Sequence, residues 1–203
     1  VSKNGGGVLL ENLQVSSASM RIEAAAETGS DNFLTALSLS AGVANPAGER
    51  VLLPVAGGQT SLQSAKLDIT FGEAGSERWN GKLELDGLQT AEFAAGRTVL
   101  TMGGLAQNLN DPLSRRVSFE IDGGLSQITA RQAKIAEALG DALTIAARGD
   151  WLAGNPVMIE NASVSGVRAM WSNLVVRSIT ASSPRVRTSA MILLTVSSTS
   201  LSD

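Results

Sequence analysis

The chain has 203 residues and a formal net charge of −3; 43% of its residues are hydrophobic but only 3% aromatic, and histidine, cysteine and tyrosine are absent. Without His or Cys it lacks the commonest general base and metal ligand, any disulfide, and every Ser-His or Cys-His nucleophile. Its densest basic spots are only Arg115-Arg116 and Arg185-Val186-Arg187, so the basic stripe and stacking platforms of nucleic-acid binding are missing, and no catalytic role, cofactor or nucleic-acid partner is expected.

The opening residues, Val1 to Gly7, are polar and glycine-rich. They do not form a signal peptide, and with no starting Met an internal fragment of a longer protein is expected. The longest apolar run, Met191 to Leu194, is far short of the roughly 20 residues of a membrane-spanning helix, so no transmembrane segment is expected. Period-two alternation, the mark of strands with one buried face, then sets in. It is weak at Met20-Ile22-Ala24 and Leu37-Leu39-Ala41, which are separated by turn-rich Gly29 to Asn32 and followed by loops at Asn45 to Gly48 and Gly57-Gly58. It is strong where Leu67, Ile69 and Phe71 alternate with Lys66, Asp68 and Thr70. After a loop at Gly72 to Gly75 it resumes with Leu83 and Leu85 between Lys82, Glu84 and Asp86. Asp86-Gly87 then reads as a tight hairpin turn, and Gly103-Gly104 as flexible or turn glycines.

A third strong run places Val117, Phe119 and Ile121 between Arg116, Ser118, Glu120 and Asp122, again ending in an Asp-Gly turn signal at Gly123. Leu83 to Leu88 and Phe119 to Leu125 thus echo one another at an offset of 36 residues. Thr129 to Leu139 (TARQAKIAEAL) predicts the one short helix, with Thr129 as N-cap and Gly140 at C′. Strands follow at Leu143-Ile145-Ala147, Val157-Ile159, Ala162-Val164 and Leu174-Val176. Arg148-Gly149-Asp150 spells an adhesion tripeptide but reads as a turn before Trp151, and the sequon Asn161-Ala162-Ser163 reads as a strand start. From Ser182 the rhythm is lost. The chain is therefore expected to be mainly β, an antiparallel meander of around ten strands over residues 1–181, with an irregular or truncated tail over 182–203.

Asp68, Glu84, Asp86, Glu120 and Asp122 all alternate against apolar neighbours. They are expected to solvate the polar face of a sheet rather than to form an acid–base pair. Trp79, Trp151 and Trp171 read as core or edge anchors.

Two stretches carry a further rhythm: Leu67 to Leu88 (LDITFGEAGSERWNGKLELDGL) and Ala133 to Gly166 (AKIAEALGDALTIAARGDWLAGNPVMIENASVSG). The second runs from a helix end at Leu139-Gly140-Asp141 through a strand ending in Asp150-Trp151 and a Gly154-Asn155-Pro156 loop to a strand closing on Ser165-Gly166. In this the segment from Leu67 to Val176 resembles the TamB family of AsmA-like bacterial envelope proteins. The resemblance implies an elongated antiparallel β-meander curled into an open groove with an apolar interior, similar to bridge-like lipid-transfer proteins. It implies a non-catalytic, periplasmic section of an inner-membrane-anchored protein in a Gram-negative bacterium. Its groove would hold phospholipid acyl chains moving between the inner and outer membranes. The parent protein would serve outer-membrane protein assembly, meeting a TamA-like outer-membrane barrel through its other parts. The residues expected to line the groove are Leu67, Ile69, Phe71, Leu83, Leu85, Val117, Phe119, Ile121, Leu143 and Ile145. The alternative is a structural β-repeat module of a secreted β-solenoid or adhesin, with those side chains packed against neighbouring coils.

Overall fold

A computed structural model describes residues 2–4, 6–53, 60–166 and 170–171; the expected Gly57-Gly58 loop, the Leu174-Val176 strand and the tail from Ser182 lie outside them. The described residues form a single antiparallel sheet of thirteen strands. In chain order these are β1 (Ser2–Asn4), β2 (Gly7–Ser16), β3 (Met20–Thr28), β4 (Leu34–Ala44), β5 (Val51–Leu53), β6 (Thr60–Leu62) and β7 (Ser64–Phe71). They continue as β8 (Arg78–Gln89), β9 (Phe93–Gln107), β10 (Arg116–Ala130), β11 (Ala142–Leu152), β12 (Met158–Gly166) and β13 (Met170–Trp171). One helix, α1 (Ala133–Leu139), lies between β10 and β11. Apart from the short pair β5–β6, each strand pairs with the next in sequence, and the sheet is an open meander.

Four local readings of the sequence change. Asp86-Gly87 and Asp122-Gly123 are not hairpin turns but lie inside β8 and β10. The ladder between β8 and β9 runs straight past Gly87, pairing Asp86 with Arg97 and Leu88 with Ala95. The glycines still adopt the positive φ that the signal demands, 61° at Gly87 and 154° at Gly123. The real turn after β8 is built by Thr90, whose hydroxyl accepts from the backbone N–H of Phe93 at 3.1 Å. Gly103-Gly104 sits within β9, not in a turn. Arg148-Gly149-Asp150 is strand, within β11, its charges paired with Glu120 and Arg116 on neighbouring β10. The helix starts four residues later than expected, because Thr129 pairs with Ala94 in the sheet; Gln132 occupies the N-cap without a side-chain bond, and Gly140 closes the helix with φ 65°.

The sheet curls. Arg115 continues the register of β10, its carbonyl accepting from Ala153, so it shares a face with Val117 and Trp151. Over Arg115 and Trp151 lie Asp31 and Phe33, from the loop between β3 and β4. β4 and β11 are five strand steps apart, about 24 Å in a flat sheet at ~4.8 Å per step. Only curvature towards the face of Val117 and Trp151 brings that loop over them. That face is the concave one.

Candidate functional site

Residues directly opposite on paired strands share a face, so the register alone assembles the site. One row crosses nine strands: Val15, Ile22, Ala41, Leu67, Leu83, Leu100, Gly123, Ile145 and Val164. The next holds Leu13, Ala24, Leu39, Ile69, Gly81, Met102, Ile121, Ala147 and Ala162. On one side of these, Phe71 faces Trp79, Trp79 faces Gly104, and Phe119 faces Gly149. On the other, Val43, Ala65, Leu85, Thr98, Leu125 and Leu143 align. All ten residues expected to line the groove fall on this one concave face, Val117 at its rim opposite Trp151. Sequence reading missed the contributions of β2 and β9, among them Leu13, Val15, Leu100 and Met102.

This face is not a packed core. Its apolar side chains are half-buried, and at the flanks they open further: Leu13 and Val15 are each 41% exposed and Val164 39%. Among the described residues, only Leu62, Ala95 and Ile128 are buried apolar side chains, and all three lie elsewhere. The result is an apolar trough whose lining is only partly enclosed.

Glycine keeps the trough floor low where aromatic rings cross it. The Trp79 indole passes over Gly104 and donates from Nε1 to the Ser118 carbonyl at 2.8 Å. A Cβ at Gly104 would stand 2.0 Å from that carbonyl and 2.8 Å from the indole nitrogen. One polar group interrupts the apolar lining. The Thr98 hydroxyl, between Leu85 and Leu125, is buried and has no hydrogen-bond partner among the described residues.

The convex face is the polar complement. Glu23, Ser40, Asp68, Lys82, Thr101 and Asp122 form one of its rows, and Glu84, Asp86 and Glu120 fall on the same side by alternation. Lys66 pairs with Asp68 at 2.9 Å, and Glu84 with both Lys82 (3.1 Å) and Arg97 (3.2 Å). The Lys66 ammonium, with a hydrogen bond from the Ser40 hydroxyl, holds Asp68 below the usual carboxylate range; Asp68 in turn raises Lys66. A depression of about 510 Å³ over Gly42 lies on this charged side, rimmed by Arg21, Glu23, Lys66 and Glu84. Its acids and bases neutralise one another. Among the described residues there is no cluster of three acidic, His or Cys side chains fit for a metal ion, and no helix long and apolar enough to cross a membrane.

In comparisons with known proteins, no family model, curated protein or solved structure matches this chain.

Proposed function

We propose that the chain is a non-catalytic section of a periplasmic scaffold of the TamB type, whose trough carries phospholipid acyl chains between the inner and outer membranes. The observation that supports it best is the pair of apolar rows that cross nine strands, left half-exposed on the concave side of a charged sheet. A soluble protein gains nothing from leaving such a surface in water, since burying it is worth about 25 cal/mol per Å². An acyl chain satisfies it without bond chemistry. Because that attraction is non-directional, a tail can slide from row to row. Outer-membrane protein assembly and contact with a TamA-like barrel then belong to the parent protein through its other parts. The competing reading, a β-repeat module of a solenoid or adhesin, requires the same face to be filled by neighbouring coils.

Trp79, on the trough face, tests the reading directly. With Trp151→Phe and Trp171→Phe removing the other two tryptophans, its emission is expected to be quenched by phospholipid vesicles with brominated acyl chains. Unquenched emission at saturating lipid would overturn the proposal.

A further inference from the structure

Six of the seven ion pairs among the described residues join side chains on one strand or on adjacent strands. The seventh does not. Arg115, at the end of the β9–β10 loop, pairs through Nη2 with Asp31 in the β3–β4 loop, 84 residues away in sequence. Arg115 also donates from Nε to the Leu109 carbonyl at 2.7 Å and stacks its guanidinium 3.8 Å above the centre of the Phe33 ring. Phe33 in turn lies parallel to Trp151, with ring centres 6.3 Å apart and planes 9° apart. The Arg115 side chain is only 8% exposed, the most enclosed charge of any ion pair here.

The cluster spans the trough at one lip, and little else described holds the two flanks together there. The trough side chains beneath it are only half-buried, and the buried apolar residues Leu62, Ala95 and Ile128 lie towards the other end of the sheet. Both anchors also sit beside irregular backbone: a register shift between Glu27 and Thr28 below the β3–β4 loop, and another between Arg148 and Gly149 below Trp151. Bulged strands bend there.

We infer that Arg115, Asp31, Phe33 and Trp151 form a latch that sets how tightly the trough is curled. Closed, it holds the β3–β4 flank over β10 and β11. Released, it lets the flanks spread about the two bulges and widens the trough, while the backbone ladder stays whole. The inference concerns the curvature of the sheet, and it stands whether or not the trough carries lipid.

The chain has no cysteine, so spin labels at Ser30→Cys and Asn155→Cys, exposed positions on the two flanks, report on the latch alone. Pulsed dipolar spectroscopy on the full chain is expected to give one short, narrow distance distribution. Arg115→Gln and the isosteric Asp31→Asn are each expected to shift it to longer, broader distances with the strand signal in circular dichroism unchanged. An unshifted distribution in both variants would overturn the latch. Loss of strand signal in both would overturn it equally, because the cluster would then belong to the stability of the fold and could not open separately.

Discussion

The trough and the far end of the same sheet use the same residue types to opposite ends. In the trough, Leu67, Leu83, Leu100 and Ile145 line up across the strands and remain half-buried. At the far end, Val51 faces Leu62, Leu88 faces Ala95, and Ala95 faces Ile128. β6 and β7 share one register against β8, which sets Leu62 beside Leu88 and makes these a single row. Three members of the row are buried: Leu62 is 1% exposed, Ala95 2% and Ile128 8%. The row falls on the strand positions that elsewhere carry charge, beyond the positive-φ residues Gly87 and Gln127 (φ 61° and 55°). α1 lies against β10 at this end. A row of aliphatic side chains is therefore not in itself a core. It becomes one where the chain folds back over it, and stays a surface where the sheet merely bends.

The comparison breaks most visibly at Leu62. Leu62→Ala is expected to cost about 2–5 kcal/mol, the range for truncating a fully buried leucine, measured by urea denaturation; a cost below that of a trough truncation would erase the distinction. Gly104→Ala comes next, at about 1–3 kcal/mol for forcing volume into a closed site. It should also shift Trp79 emission as the indole loses the Ser118 carbonyl. Ile69→Asn, in the open trough, is expected to cost only about 1 kcal/mol, since a half-exposed side chain forfeits only part of its burial energy. Bromolipid quenching of Trp79 should fall in the same variant. Thr98→Val sharpens the contrast in the other direction: exchanging a buried, unpartnered hydroxyl for a methyl should stabilise the protein by about 1 kcal/mol.

The ionised groups should respond least, and on the acid side through three carboxylates. Asp31, Asp68 and Asp111 are held below their ordinary value of 3.8, by Arg115, by Lys66 with Ser40, and by Ser114 with the Leu113 N–H respectively. A carboxylate depressed on folding contributes stability that is complete above the ordinary value and is lost as pH falls through the lower folded-state value. Denaturation midpoints should therefore be flat from neutrality to about pH 5 and fall below pH 4, with Asp68→Asn shallowing that fall.

The parts of this design legible in the sequence are those where alternation is uninterrupted. β7, β8 and β10 announce both their direction and their inward residues, because Lys, Asp, Glu and Arg recur on the other face. β2 escapes that reading because a register shift between Leu10 and Leu13 breaks the period, and β9 because Ala, Gly and Thr dilute it. The Asp-Gly pairs mislead for a tertiary reason: long ladders on both sides of β8 and β10 outweigh a local preference for turning. The far-end row is illegible since its residues sit out of step with the strands that carry them. The latch is beyond local pattern altogether, as Asp31 and Arg115 meet only when the whole sheet curls.

The most direct test of the open trough is a photo-crosslinking scan along β7, with a benzophenone amino acid placed singly at each residue from Lys66 to Phe71 in the presence of phospholipid. Adducts at Leu67, Ile69 and Phe71, but not at Lys66, Asp68 and Thr70, are the predicted result. Absence of lipid adducts at all three inward positions, or equal labelling of both faces, would contradict it.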